Sequence, residues 1–248
     1  YLARLREDLK ADFIATGHYA RVAYISRWAK RLVLRGKGGK EQSYFLSLVN
    51  PEFFERLLLP LGNMSKEEVR RESRRLGFGG AKESQDVCFV KGDVSAFLER
   101  FIPPKRGKFV LKEGKAIGEH RGYYHFTVGQ RRGLGVSAGR KLYVVSVDPE
   151  RNTVVLGSKE DVLRSQFCIR GLVLHIDFED FARLRDVHVQ VRYRSEAVRV
   201  SGFEYLKKGI YRVKLASKVK APAPGQVCAF YSGDVLLGGG EIAKAGEE

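Results

Sequence analysis

The apolar positions of this chain change period along its length. Near the start, "DFIATGHYARV" (12–22) is a short apolar run ending at Gly17-His18, the pattern of a strand that leads into a functional loop. "RLVLRG" (31–36) predicts a second short strand, followed by the glycine-rich basic loop "KGGKEQ" (37–42). Helical spacing follows. "NPEFFERLLLPLG" predicts a helix with Asn50 as N-cap and Pro51 at its first position. "SKEEVRRESRRLG" places Ser65 and Glu68 at capping-box spacing, with Gly77 as the stop. "GDVSAFLERFIPP" predicts a third helix, capped by Asp93 and ended by Pro103-Pro104.

Beyond Pro104 the period falls to two. "GKFVLKEGKAIGEH" predicts a hairpin around Glu113-Gly114, and "KLYVVSVDPERNTVVLGS" a second one turning over Asp148–Asn152. The remainder, "VHVQVRYRS", "EAVRVSGFEYL", "YRVKLAS" and "QVCAFYSGDVLLGGGEI", gives five or six short strands with glycine turns, the signature of a small barrel. The pattern predicts three segments: an α/β part over 1–103, a central β domain over 104–162, and a C-terminal β-barrel over 163–248. The opening "YLARLREDLKADF" mixes charge into an apolar pattern; it is unlike a signal peptide and is expected to be the end of a helix in a domain already under way.

Composition narrows the class. With 44% apolar residues among 248, the chain can bury a core, and no run of eighteen apolar residues offers a membrane span. Three widely spaced cysteines, Cys88, Cys168 and Cys228, form neither a disulfide framework nor a zinc pattern and suit a reducing cytoplasm. The five histidines show no metal-ligand spacing. The net charge is +16; 19 basic and 13 acidic residues precede Pro103, and 26 basic and 16 acidic residues follow. A surplus of this size in both parts points to a polyanionic partner, with nucleic acid favoured over charge carried for solubility alone.

Six stretches in order, "ATGHYAR" (15–21), "KEQSYFL" (40–46), "LGNMSKEEVR" (61–70), "ESQDVCFV" (83–90), "HFTVGQRRGLG" (125–135) and "PAPGQVCAFY" (222–231), closely resemble the tRNA-specific 2-thiouridylase family, from about residue 11 to the C-terminus. Each motif alone is weak; their order is specific. The resemblance implies a remnant of an ATP-pyrophosphatase-type α/β domain, a small central β domain and a C-terminal tRNA-binding barrel. It implies ATP-dependent 2-thiolation of a tRNA wobble uridine, with AMP as by-product. Its partners would be tRNA and a persulfide sulfur donor protein. Magnesium would accompany ATP, and no membrane is involved.

The resemblance also assigns residues. Cys88 matches the cysteine that carries the persulfide, a role needing an accessible thiolate on a loop; read without the motif, a buried structural cysteine is the ordinary case. Gly17 matches a glycine approaching the nucleotide, and His18 a tRNA contact, where a satisfied loop histidine is the alternative. Lys40, Glu41 and Gln42 match a tRNA-contacting tripeptide that usually reads Lys-Asp-Gln. Arg192 and Tyr193 match a tRNA contact on the barrel, the pairing of a cation with a stacking ring; on a wet strand face such residues are also common. Gln226 matches a glutamine near the target base. Gln130, Arg131, Arg132 and Gly133 form a basic loop expected to meet the RNA backbone. Cys168 and Cys228 lie in strand-like patterns and are expected in the core.

The 248 residues lack the family's S-G-G-x-D-S loop, its first catalytic cysteine and the aspartate near it. The expectation is therefore a fragment or one half of a split enzyme, inactive alone and completed by a separate N-terminal ATP-binding segment. The reading from another class is a non-catalytic tRNA-binding module. Retention of "SQDVCFV" speaks against it, because a mere binder needs no sulfur-carrying cysteine. A generic barrel that binds RNA without thiolation is the third reading, and the ordered motifs disfavour it.

Overall fold

A computed structural model of the chain describes residues 2–78, 90 and 94–244. They divide into two compact units, one of Tyr1–Ala81, Ser165–Ser217 and Pro224–Glu248, the other of Lys82–Arg164 and Lys218–Ala223.

The first segment begins with a short helix, α1 (Leu2–Asp8), and a two-residue strand, β1 (Ile14–Ala15). The hairpin β2 (Ala20–Ile25) and β3 (Lys30–Arg35) follows, paired antiparallel from Ala20↔Arg35 to Ile25↔Lys30. Asn50 caps the next helix as expected, accepting a hydrogen bond from the Glu52 amide. That helix is nevertheless a 3₁₀ helix over Pro51–Arg56 alone, and the chain then enters a strand, β4 (Leu57–Leu58), parallel to β1 with Ile14 opposite Leu57. The sequence reading of a continuous helix fails here because Pro60 bars helical continuation while β1 offers the Leu57–Leu58 backbone a partner. Helix α2 (Lys66–Arg75) has the complete capping box between Ser65 and Glu68, and Gly77 ends it at φ 82°.

In the second unit, helix α3 (Val94–Glu99) precedes a four-stranded sheet; the expected cap Asp93 lies outside the described residues. Strands β5 (Gly107–Leu111) and β6 (Ala116–His120) form one hairpin, and β7 (Tyr143–Asp148) and β8 (Thr153–Gly157) the other. The sheet order is β6-β5-β8-β7, with β5 and β8 parallel. Gly114 and Asn152 hold the positive φ their turns need, 92° and 48°. Phe109, Leu134, Leu142, Val144, Val154 and Leu156 form the core.

The last segment supplies β9 (Leu163–Leu174), helix α4 (Phe178–Arg183), β10 (His188–Gln190), β11 (Val198–Lys207), β12 (Ile210–Lys220), β13 (Val227–Ser232) and β14 (Val235–Ile242). The order β13-β10-β11-β12-β9-β14 closes on itself through β13–β14 pairing, giving a six-stranded barrel. Gly238, at φ 132°, lies where an added Cβ would meet the Val173 carbonyl oxygen at 2.1 Å, so β14 can approach β9 only without a side chain there. The hairpin of the first segment joins this sheet, with β3 beside β14 at Leu34↔Val235. The chain is thus multidomain α/β plus β, and the first segment shares a core with the barrel: Ala20, Val33, Tyr44 and Phe54 pack with Ala229, Tyr231 and Leu236. Among the described residues no helix is long and apolar enough to cross a membrane.

Candidate nucleic-acid interface

Where β3 meets the barrel, Arg35 organises the seam. Its guanidinium lies 3.7 Å over the Tyr231 ring, donates from both terminal nitrogens to Gln190 Oε1 at 3.3 Å, and pairs with Glu41 at 3.2 Å. A planar, delocalised cation can stack and fork its donors at once, which an ammonium cannot. Glu41 also accepts from the Ser43 amide, and the Ser43 and Tyr231 hydroxyls lie 3.1 Å apart. Gln42 clamps Tyr19, its amide oxygen accepting from the Tyr19 N–H at 3.1 Å and its own N–H donating to the Tyr19 carbonyl at 2.9 Å. Of the Lys40-Glu41-Gln42 tripeptide, two side chains therefore brace the fold. Lys40 places its ammonium 4.6 Å over the Tyr19 ring.

The tripeptide leads into the 3₁₀ turn Ser43–Leu46, which presents an aromatic group. Phe45 is half exposed and lies 4.6 Å from the Tyr193 ring, with Tyr44 at 6.1 Å from the same ring. The Tyr44 hydroxyl donates to the Val227 carbonyl, next to Gln226. Burial pushes this phenol up to about 12, with Arg192 pulling the other way. Arg192 and Tyr193 lie in a turn just past β10, rather than on a strand face as their alternating neighbours suggest; the strand ends at Gln190, whose amide donates to the Arg192 carbonyl. Arg194, at φ 61°, lies 5.1 Å over the Tyr193 ring. Together Arg35, Glu41, Gln190, Tyr193, Arg194 and Tyr231 border a cleft of about 660 Å³. Gln226 is half-buried, its carbonyl accepting from the Ile242 amide at 2.8 Å.

His18 precedes the clamped Tyr19. Its Nδ1 lies 2.8 Å from the Thr16 hydroxyl, and burial lowers its pKa, so it is neutral near pH 7. Gly17 is exposed at the end of β1; an added Cβ would touch only Leu61 Cδ1, at 3.7 Å. Local packing therefore does not require a glycine there. Cys88 lies outside the described residues. Cys168 and Cys228 are buried, as expected of core residues, and burial pushes the Cys228 thiol up to about 12, far from thiolate reactivity.

The basic loop of the second unit is braced from within. Gln130 accepts from the Thr127 amide and donates to the Arg132 carbonyl, both at 3.0 Å, while Arg131 and Arg132 are exposed. Gly133 holds φ 72°. Among the described residues no group of three histidine, cysteine or acidic side chains could hold a metal.

Comparison with known proteins gives this geometry its context. The chain is 39% identical over 245 residues to the tRNA-specific 2-thiouridylase MnmA of Aquifex aeolicus, covering 97% of this chain and 67% of that protein. It is 41% identical to the protein of the same name from Syntrophomonas wolfei, covering 95% and 70%. The corresponding protein from Gloeothece citriformis is 39% identical, with 96% and 69% covered.

The chain belongs to the tRNA-specific 2-thiouridylase family. Three family models tile this 2-thiouridylase relative: a tRNA methyl transferase HUP domain over residues 1–92, a tRNA methyl transferase PRC-barrel domain over 95–158, and an aminomethyltransferase beta-barrel domain over 164–242. The seam draws Arg35 and Lys40–Gln42 from the first match and Gln190, Arg192, Tyr193 and Gln226 from the third. The fold thus brings Tyr193 against Tyr44 and Phe45, and sets Lys40, Gln42 and His18 beside Tyr19, while the basic loop Gln130–Gly133 belongs to the other unit. The residues that sequence reading missed are Tyr19, Arg35, Gln190 and Tyr231. Their only signal is spatial, since Arg35 and Gln190 are 155 positions apart.

Proposed function

We propose that this chain acts in ATP-dependent 2-thiolation of a tRNA wobble uridine in the cytoplasm, with Cys88 carrying the transferred sulfur as a persulfide and the seam holding the tRNA. The observation that supports it most is the match of nearly the whole chain to enzymes named for this activity. The seam supports the tRNA part. Lys40 and Arg194 each offer a cation over an aromatic face, Phe45 offers half an exposed ring for stacking, and Gln226 supplies an amide for a base edge. Glu41 and Gln42 contribute indirectly, by fixing the loop that carries Lys40.

ATP use is implied by the family and by its HUP-type domain. Magnesium would accompany the nucleotide. Among the described residues Gly17 offers an open backbone edge but no phosphate cradle surrounds it. In the "KGGK" loop Gly38 instead serves packing, since a Cβ there would meet the Met64 carbonyl oxygen at 1.9 Å, and Gly39 supplies a positive φ of 81°. No step of the nucleotide chemistry is assigned to these residues. A persulfide donor protein would load Cys88. Cys168 and Cys228, buried in the barrel, do not compete for that sulfur.

The test is to expose the chain to a persulfide donor and locate the added sulfur by peptide mass spectrometry. One added sulfur on the peptide holding Cys88, absent in Cys88→Ser, is expected. Sulfur on Cys168 or Cys228 instead, or undiminished tRNA thiolation by Cys88→Ser in an enzyme completed with the N-terminal ATP-binding segment, would overturn the assignment.

A further inference from the structure

The far end of the barrel carries a feature that the seam does not use. Strands β11 and β12 extend to a two-residue turn, Lys208-Gly209, closed by Lys207 opposite Ile210, with φ of 47° and 74° at the two turn residues. That is the geometry of a type I′ turn, which favours Asn, Asp or Gly at its first position. The turn gives no reason for a lysine there. Lys207 and Lys208 are both exposed, and neither meets a carboxylate among the described residues. Glu204, the carboxylate on this hairpin, is engaged by Arg212 at 3.5 Å and Lys214 at 3.3 Å.

Beside the lysines stands a column of rings. Tyr205 is 58% exposed and lies 5.2 Å from Tyr211, which stacks on Phe203 at 5.1 Å with 20° between the planes. Phe203 continues inward to Phe181 at 5.2 Å and to the fully buried Phe230 at 5.8 Å. The exposed ring is therefore backed by a rigid aromatic stack rooted in the barrel core. The nearby helix α4 is acidic; Asp177 is held by Lys30 at 2.7 Å and Asp180 by Arg183 at 3.9 Å, and Glu179 is exposed.

We propose that the β11–β12 hairpin end is a second RNA-binding surface, with Lys207 and Lys208 on the phosphate backbone and Tyr205 as a stacking platform. It rests on the reading of the chain as a tRNA binder. Uncompensated cations beside a supported exposed ring match the alternation of phosphate and base along an RNA strand. An acidic protein surface would use the charges but not the stack. Position favours an extended ligand: β11 runs from Val198, just past the Arg192-Tyr193 turn, to Lys207, a span of roughly 30 Å at strand rise. A polyanion touching both places must be an RNA arm rather than a single nucleotide.

The test measures the tRNA dissociation constant of the chain over a range of salt concentrations by filter binding. Lys207→Ala/Lys208→Ala is expected to weaken binding and to reduce the slope of log affinity against log salt by roughly 1.5–2. Tyr205→Ala is expected to weaken binding about tenfold with the slope unchanged. All three side chains are exposed, and circular dichroism confirms that each variant is folded. Unchanged affinity and slope in the double variant overturn the proposal, as does a defect confined to sulfur loading from a protein donor, which would mark a protein-docking surface. The Arg192→Ala variant separates the two readings. If it loses tRNA while the hairpin variants do not, only the hairpin proposal falls. If the unaltered chain does not bind tRNA, the underlying reading falls with it.

Discussion

The two units are held together by different kinds of contact. The second is built from hairpins, β5–β6 and β7–β8, whose turns and alternating apolar residues lie within a few positions of one another; a single parallel pairing, β5 to β8, joins them. The first depends on distant partners. Arg35 meets Gln190 across 155 positions, Arg21 pairs with Asp234 across 213, and Tyr44 reaches Val227 across 183. Local pairing yields a self-contained sheet. Distant pairing yields a seam, and the seam is where cations, rings and amides from both ends of the chain converge.

That difference explains what could be read in advance. The hairpins, the capping box at Ser65 and Glu68, and the barrel strands follow from local periodicity and turn chemistry, which sequence displays directly. The short 3₁₀ helix at Pro51 was mistaken for a longer one because the competing partner of Leu57, Ile14 on β1, lies 43 positions earlier. Helix α4 went unread because six residues are too few for helical periodicity to emerge from an alternating background. Family motifs pointed to Lys40, Glu41, Gln42, Arg192, Tyr193 and Gln226. Only the structure separates Lys40, whose ammonium lies over the Tyr19 ring, from Glu41 and Gln42, whose side-chain oxygens are engaged by Arg35, Ser43 and Tyr19.

The contrast can be broken most severely in the cores. Phe54→Ala in the first unit and Phe109→Ala in the second each remove a fully buried ring and are expected to cost about 3–5 kcal/mol. Hydrogen exchange should show the loss of protection from Phe54→Ala in the seam and barrel, and that from Phe109→Ala in β5–β8. A reversed pattern would dissolve the distinction between the units.

Acid offers the next largest effect. His175 is fully buried against Phe54 in the first unit, and burial lowers its pKa to about 4. Its folded pKa lies below its unfolded value, so the native state resists protonation. The stability it protects is complete above the unfolded pKa near 6.5 and is lost as pH falls from there toward 4, by about 3 kcal/mol in total. Denaturant titrations across that window should show the decline, and His175→Leu should flatten it even though the substitution also removes the hydrogen bond to the Leu236 carbonyl. His120 in the second unit is lowered in the same direction by burial, so a residual slope should remain there.

Arg35→Ala sharpens the comparison by cutting the seam alone. It leaves Glu41 and Gln190 without their cation and Tyr231 without its stacked partner, an expected loss of about 2–3 kcal/mol. Arg35→Lys should restore only part of it, because an ammonium cannot stack and fork together. The counterpart in the second unit is Asn152→Ala. Asn152 holds a left-handed turn, accepts from the Tyr123 amide and donates to the Lys105 carbonyl, so about 1–2 kcal/mol should be lost. Chemical denaturation measures both, and only Arg35→Ala should also weaken tRNA binding through the seam.

The most direct test of the seam as the tRNA-binding site is the affinity of the chain for tRNA, measured beside Lys40→Ala and Tyr193→Ala. Binding that weakens about fivefold or more in each variant is expected, with a reduced salt dependence for Lys40→Ala and an unchanged one for Tyr193→Ala. Equal affinity in all three proteins would contradict the account.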